Sequence, residues 1–198
     1  MNVFGLGKDD GFWEKAFAAT GLLGPLSAFM SISIAIAYSP WFSWSRNALS
    51  DLGHSTRSGV APIFNFGLTL AGVLIIIYCV THLYRKTVSS WFIMTMSGFF
   101  LILIAVFDEV YGKLHFIVSL LFFLTGTLGS LVFYLEKKNP LAITGFFISA
   151  CVWIFYYYIP KIVDVGISVG ISVPEFISSI AISAWLMWES LEDLVKHH

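Results

Sequence analysis

The sequence predicts an all-α integral membrane protein in which the whole chain, residues 1–198, forms one bundle of six transmembrane helices. The chain is 58% hydrophobic and only 12% charged, whereas a soluble domain carries about 25% charged residues. Its six apolar runs approach the length of about 20 residues that a helix needs to cross a bilayer. A globular core of this size cannot hide so much apolar surface, so we expect lipid to cover it.

Short connections, most of them polar, separate the six spans, so consecutive helices are expected to be antiparallel neighbours. The first span contains Gly24 and Pro25, a pair expected to kink it. The fourth contains Gly126 and Gly129, small residues that permit close helix contact, either inside the bundle or between protomers. The expected bounds of the six spans are 17–38, 60–84, 91–107, 115–135, 141–159 and 173–191.

The basic residues set the expected orientation. With six spans, seven Lys and Arg residues fall on one side of the membrane and four on the other. The positive-inside rule places the richer side, and with it both termini, in the cytoplasm. The first apolar run is too long for a signal-peptide core, so it is interpreted as a retained span of a multi-pass cell-membrane protein. The seven are Lys8, Lys15, Arg85, Lys86, Lys137, Lys138 and Lys196, and the four are Arg46, Arg57, Lys113 and Lys161.

Several classes of function find no support in the composition or the motifs. A net charge of −1 gives no reason to expect a nucleic-acid partner. The two cysteines, Cys79 and Cys151, lie inside apolar runs and are interpreted as core residues. The chain has no His-Glu-x-x-His pattern, paired cysteines or Gly-x-Ser-x-Gly elbow. We therefore assign no metal ligand, and the sequence identifies no cofactor.

The longest polar interruption runs from Arg46 to Arg57, in the first connection. Under the predicted topology it shares the outer face with the segment from Asp108 to His115 and with the pair Lys161 and Asp164. A six-helix bundle brings these three connections to one end. Carboxylates and imidazoles so grouped can do acid–base work, and basic groups at this level attract lipid phosphate.

The candidate residues form two sets, one for acid–base catalysis and one for binding a lipid headgroup. The catalytic candidates are Asp51, His54, Asp108 and His115. The candidate ligands of a lipid headgroup are Arg46, Asn47, Ser50, Arg57 and Lys113.

Some polar residues also have a structural interpretation. Asp51, two residues before Gly53, is typical of a turn in which the carboxylate accepts backbone N–H bonds. The segment from Ser172 to Glu175 matches a capping box with proline in the first turn. Asn65 is expected to form a hydrogen bond across helices. His115 is either an interfacial hydrogen-bonding residue or part of a site.

Two stretches of the chain resemble a known family. Ser50-Asp51-Leu52-Gly53 resembles the Ser-Asp-x-Gly signature in the first outer loop of the Frag/DRAM/Sfk superfamily of six-span membrane proteins. The longer strings 47–54 and 60–65 are closer to a prokaryotic relative, the domain of unknown function 998 family. His115, with Ser119 one turn later, fits the same pattern. The matching positions are Asn47, Ser50, Asp51, Gly53 and His115.

The resemblance implies a connection with lipids. Eukaryotic members of the superfamily are associated with remodelling of glycosylphosphatidylinositol anchors, lysosomal membrane events and lipid retention in the plasma membrane. The resemblance implies no single reaction for the fold. This chain has Leu52 where those members often have Thr, and it has His54 in addition.

We therefore expect a membrane protein that binds or handles lipid through a polar pocket at the outer face, with membrane lipids as partners. A membrane-embedded lipid hydrolase, metal-dependent or acid–base, is the first alternative, so whether the protein is an enzyme stays open. A small-solute transporter or channel is the second alternative, although the spans carry almost no charge at their centres. The sequence also leaves open a homo-oligomer, and whether His197 and His198 are native.

Overall fold

The computed structural model describes residues 10–162 and 169–196. Within these ranges the chain is helical and contains no strand, which confirms the all-α class. The helices are α1 (Asp10–Ala37), α2 (Ala61–Tyr78), α3 (Tyr84–Lys86), α4 (Ser90–Val106), α5 (Lys113–Lys137), α6 (Pro140–Ile162) and α7 (Ser172–Lys196). A π turn, Cys79–Leu83, joins α2 to α3, and two 3₁₀ turns, Ser50–Gly53 and Glu109–Tyr111, lie in the connections.

Every predicted span coincides with a long helix, and most bounds agree within three residues. Four helical segments of the described chain are long and apolar enough to cross a membrane: Gly11–Ala37, Ala61–Lys86, Lys113–Lys137 and Pro140–Tyr158. Helix α4 is apolar but has only 17 residues, and α7 is less apolar because it contains several serines and acids. These helices support a multi-pass membrane protein.

Helix α1 differs most from its prediction. It begins at Asp10, well before residue 17, and it continues through Pro25 without a break. Gly24 explains why the pair lies here: a Cβ at Gly24 would lie 3.0 Å from Cγ1 of Ile75 and 3.2 Å from the carbonyl oxygen of Ala71. Gly24 therefore lets the backbone of α1 approach α2 closely.

The capping box predicted for α7 is wrong, although α7 does begin at Ser172. The Ser172 hydroxyl donates to the carbonyl oxygen of Trp44 at 3.1 Å. The N–H of Glu175 donates to the carbonyl oxygen of Ile171 at 3.2 Å. Both residues of the predicted box therefore bond other groups, because the first connection packs against this end of the helix.

The long helices form a closed ring. Each contacts the next long helix along the chain, and α1 closes the ring against α7. The connections after α1 and α4 meet the start of α7 at one end, while Glu136 of α5 accepts hydrogen bonds from the α3–α4 connection at the other. The chain thus alternates up and down, as short connections require.

Small residues and one large aromatic pair fill the interior. A Cβ at Gly126 would lie 2.9 Å from the Ile182 side chain of α7, and one at Gly129 would lie 2.5 Å from Sδ of Met94 in α4. The sequence leaves open whether these glycines contact helices of the same bundle or of another protomer. In the structure they contact helices of the same bundle. Trp185 is fully buried and stacks on Phe133 with ring centroids 4.2 Å apart.

A buried polar network occupies the end of the bundle opposite the first connection. Asp193 of α7 accepts a hydrogen bond from the Tyr78 hydroxyl at 2.9 Å and pairs with the Lys86 ammonium. Lys86 also lies 3.6 Å from the Glu189 carboxylate. The network ties the end of α2 and α3 to α7 through side chains that the sequence spaces more than 100 residues apart.

Candidate functional site

Three segments that are distant in the sequence converge at the end of the bundle that contains the first connection. The Leu49 N–H donates to Oε2 of Glu175 at 2.7 Å, across 126 residues. The Ser50 hydroxyl donates to Oε1 of Glu109 at 2.5 Å, across 59 residues. The grouping of the first connection with the segment Asp108–His115, expected from topology, is present in the structure. Asp164 lies outside the described residues.

The Ser-Asp-x-Gly turn has a defined geometry. Oδ2 of Asp51 accepts hydrogen bonds from Nδ2 of Asn47 at 2.9 Å and from the Ala48 N–H at 3.0 Å. The Gly53 carbonyl accepts from Nδ2 of Asn65 at 2.9 Å, and a Cβ on Gly53 would lie 2.5 Å from Oδ1 of Asn65. Asp51 therefore closes the turn and the glycine lets it pack on α2, while the bond described above links Ser50 to Glu109.

Asp108 also links the first connection to the Glu109–Tyr111 turn. Its Oδ1 accepts the Val110 N–H at 2.8 Å, which caps the Glu109–Tyr111 turn, and its Oδ2 accepts the Ser55 N–H at 3.3 Å. Burial by itself raises the pKa of the Asp108 carboxyl, but hydrogen bonds from Ser55 and Val110 outweigh burial and hold the pKa below its usual range. Asp108 is therefore an ionised structural anchor at neutral pH.

A short chain of polar side chains continues from Ser50 through Glu109 to α5. Nε2 of His115 lies 3.5 Å from Oε1 of Glu109 and 3.4 Å from Oγ of Ser119. Nδ1 of His115 lies 2.7 Å from the Phe107 carbonyl oxygen, which can only accept, so Nδ1 carries a proton. In a neutral ring, Nε2 then presents a lone pair to the Glu109 carboxylate. The contact is therefore attractive only when Nε2 or the Glu109 carboxyl also carries a proton.

These groups lie at one end of a cavity of about 640 Å³ between α5 and α6, which we call the α5–α6 cavity. We define its polar end by Ser50, Glu109, His115, Ser119 and Glu175. Its apolar wall includes Phe116, Leu120, Phe123, Leu124, Trp153 and Ile154. The wall also borders the outside of the bundle, since Phe116, Leu120 and Ile154 are each more than half exposed. Further along, Oγ1 of Thr127 and Oγ of Ser149 lie 2.6 Å apart.

The structure separates the predicted site residues into groups. Ser50 and His115 line the cavity. Asn47, Asp51 and Asp108 support it through the hydrogen bonds described above, and His54 lies 3.3 Å from Oγ1 of Thr56 outside the cavity lining. The exposed basic candidates are Arg46, Arg57 and Lys113, and none of them lines the cavity. The roles assigned to these residues stay predictions.

Two acidic residues of the polar end were not assigned to the site from the sequence. The sequence groups Glu109 with the outer face and favours a helix start for Glu175, so neither is among the candidate site residues. The available signal was a carboxylate at the end of an apolar helix, which needs a partner or a function. Only the packing of the first connection against α7 shows that both carboxylates lie in the cavity lining.

The described part of the chain contains no group of three or more His, Cys, Asp or Glu side chains placed to hold a metal ion. The three ionisable side chains of the polar end are Glu109, His115 and Glu175. What they offer directly is hydrogen bonding and proton transfer.

Comparison with known protein families gives a match over most of the chain. A family model described as "Protein of unknown function (DUF998)" matches residues 22–191. No curated protein and no solved structure matches the chain. The matched range contains the Ser-Asp-x-Gly turn, both carboxylates of the polar end and the whole wall of the cavity. Since the match covers most of its length, the chain belongs to the DUF998 family.

Proposed function

We propose that the chain forms one membrane domain that crosses the cell membrane six times, with both termini in the cytoplasm. The four long apolar helices and the 17-residue α4 supply five crossings. Helix α7 supplies the sixth, because it closes the ring between α6 and α1 and buries Ser178 and Ser190 on its inner side. The excess of Lys and Arg at the ends away from the first connection supports the orientation.

We propose further that this domain binds a membrane lipid in the α5–α6 cavity. The observation that carries the proposal is the shape of the cavity: an apolar wall bordering the outside of the bundle, and a polar end under the first connection. An amphipathic molecule matches both parts, because its chain can replace lipid contacts along the wall while its polar group reaches buried hydrogen-bonding groups. The Ser-Asp-x-Gly turn also supports a distant relationship to the Frag/DRAM/Sfk superfamily, whose eukaryotic members are associated with lipids.

Filling the cavity should prevent binding. Ala150 lines the α5–α6 cavity, whereas Ile148 on the same helix is exposed and does not. In Ala150→Trp the indole occupies space that a lipid chain would use, so we expect the lipid adducts seen by native mass spectrometry to fall about tenfold, which is about 1.4 kcal/mol of binding. Ile148→Trp adds the same side chain outside the cavity and should leave the adducts unchanged. Equal adducts on all three proteins would contradict the proposal.

Hydrolysis of a lipid ester is the second candidate function. It is favoured by the row of neighbouring side chains Ser50, Glu109 and His115. A hydroxyl that donates to a carboxylate at 2.5 Å resembles a nucleophile held by its base. Glu109 would take the Ser50 proton as Oγ bonds to the acyl carbon, and would return it to the alcohol oxygen as the ester C–O bond breaks. Water would then release the fatty acid, with its proton passing through Glu109 back to Ser50.

A serine-directed reagent tests this second function. If Ser50 is a nucleophile, a lipid-like fluorophosphonate should label wild-type protein, and Ser50→Ala should lower the labelled fraction at least about tenfold. Ser45→Ala alters an exposed serine of the same connection and should keep full labelling. Labelling that persists in Ser50→Ala, or none in wild type, argues for lipid binding without this reaction.

A further inference from the structure

The Ser119 hydroxyl of α5 has a different partner from many other hydroxyls in the long helices. Serines and threonines inside a helix often donate to a backbone carbonyl one turn earlier, as Thr125 and Ser130 do at 2.6 Å and 3.0 Å. Oγ of Ser119 instead lies 3.4 Å from Nε2 of His115. Ser119 is half-buried and lines the α5–α6 cavity, so a bound molecule can reach its hydroxyl.

His115 is held in the tautomer that a general base needs. Its Nδ1 donates to the Phe107 carbonyl oxygen at 2.7 Å, so in a neutral ring Nε2 has the lone pair and the Ser119 hydroxyl is the donor. A hydroxyl bonded to a base that is itself oriented by an acceptor is the arrangement that activates a serine nucleophile. A separation of 3.4 Å is within the range of such pairs before a substrate tightens them.

Glu109 adds a contact that favours proton transfer to His115. Its Oε1 lies 3.5 Å from Nε2. Once the ring takes the Ser119 proton, this contact joins an imidazolium to a carboxylate and becomes attractive. Interactions that strengthen between the ground state and the transition state lower the barrier. The Ser50 hydroxyl donates to the same Oε1 at 2.5 Å and so fixes the position of the carboxylate.

Ser119 lies where the polar end of the cavity meets its apolar wall. Four residues of helix, about 6 Å, separate it from His115. The next lining residues along α5 are Leu120, Phe123 and Leu124. The ester of an acyl lipid lies at the same kind of boundary, between the polar group and the fatty chain. A lipid bound in the cavity would therefore bring its ester close to Ser119.

We propose that Ser119 and His115 form a nucleophile–base pair that cleaves a carboxylic ester of a lipid, an inference that rests on the lipid binding proposed above. Nε2 of His115 takes the Ser119 proton as Oγ bonds to the acyl carbon, and donates it to the alcohol oxygen as the ester C–O bond breaks. Water then attacks the acyl-serine and gives a proton to Nε2, and the fatty acid leaves as Oγ takes that proton back. In this assignment Ser50 positions Glu109 and is not the nucleophile.

The residue that reacts with a serine-directed reagent distinguishes Ser119 from Ser50. Purified protein in detergent micelles is treated with a dodecyl fluorophosphonate, and the labelled tryptic peptide is identified by mass spectrometry. Cleavage at Arg57 and Lys113 places the two serines on different peptides. We expect the label on the peptide that contains Ser119, and a loss of at least about tenfold in Ser119→Ala. Thr125→Val removes a hydroxyl of the same helix outside the cavity lining and should keep full labelling.

Replacing the base tests His115 separately. His115→Gln leaves the Ser119 hydroxyl in place and removes the group that accepts its proton, so the labelling rate should fall at least about 100-fold. Circular dichroism and size exclusion check that this variant is folded. An unchanged rate in folded His115→Gln would overturn the assignment. The position of the label in wild-type protein tests the assignment without any variant.

The outcomes separate this inference from the proposed lipid binding. Label on Ser50, full labelling in Ser119→Ala, or no label on wild-type protein would overturn the nucleophile–base pair, and loss of lipid adducts in Ala150→Trp would still support binding in the cavity. Labelling of Ser119 that Ala150→Trp leaves unchanged would support the pair and contradict lipid binding in the cavity.

Discussion

Gly67→Ala is expected to destabilise the protein by about 2–3 kcal/mol, because it overpacks a close contact between α1 and α2. A Cβ at Gly67 would lie 1.8 Å from Oγ and 2.1 Å from Cβ of Ser31. Ser31 is buried in α1 and its hydroxyl donates to the Ala28 carbonyl oxygen at 2.9 Å. Turning the hydroxyl away does not relieve the Cβ contact, so the two helices must separate. Unfolding by sodium dodecyl sulfate in mixed micelles measures the loss.

Two further variants check that the clash is the cause. Gly11→Ala lies in α1 with nothing within 4 Å of the added Cβ, so it should change the free energy of unfolding by less than about 0.5 kcal/mol. Ser31→Gly combined with Gly67→Ala moves the methyl group across the interface and should recover more than half of the loss. A Gly67→Ala protein as stable as Gly11→Ala, or no recovery in the double variant, contradicts the explanation.

Asp193→Ala is expected to cost about 2–4 kcal/mol, because it removes the buried member of a partly buried ion pair and the acceptor of a buried hydroxyl. Asp193 is only 3% exposed and bonds both the Lys86 ammonium and the Tyr78 hydroxyl. Without it the hydroxyl of Tyr78, a residue with no exposed surface, loses its acceptor. Among the described residues, Lys86 then has the Glu189 carboxylate at 3.6 Å as its remaining acidic partner. The free energy of unfolding in mixed micelles again gives the value.

Arg85→Ala is the matched control for this network. Arg85 lies next to Lys86 and donates to Glu14 at 2.7 Å, but its side chain is 57% exposed. An exposed ion pair contributes about 0–1 kcal/mol, so this variant should be nearly as stable as wild type. Asp193→Asn keeps an acceptor without the charge and should fall between the two. Equal losses for Asp193→Ala and Arg85→Ala would show that burial does not govern this ion pair.

The positions of the helices could be predicted because length and composition decide them. Apolar runs of bilayer length have no stable alternative to a helix, since every backbone N–H must be paired within the segment. Helix ends follow local signals: α5 begins after Gly112, whose φ is +50°, and Oδ1 of Asn139 accepts the Leu141 N–H at the start of α6. The sequence does not indicate the extra length of α1, because Asp10, Glu14 and Lys15 interrupt the apolar run there. Contacts with the rest of the bundle, such as the Arg85–Glu14 bond, show that these turns are part of the fold.

The site could be predicted only in part, because the sequence does not determine how each helix is oriented about its own axis. Helices α5 and α6 are apolar on nearly every side, so their sequences do not indicate which face turns inward. Topology alone placed Ser50 and His115 at one end of the bundle. The partners of Glu109 and Glu175 depend on contacts across 59 and 126 residues, which no local pattern contains.

The bonds between the first connection and the start of α7 have a consequence for how the protein is made. Trp44, Asn47 and Leu49 bond Gly170, Ser172 and Glu175. A ribosome makes the first connection well before α7, so these groups have no partner until α7 has been synthesised. Ser50 lies within this segment, so the polar end of the cavity takes its final form only after α7 has packed against the first connection. A chain shortened before Gly170 would keep the Ser-Asp-x-Gly motif but lose Ile171 and Glu175 from the cavity lining.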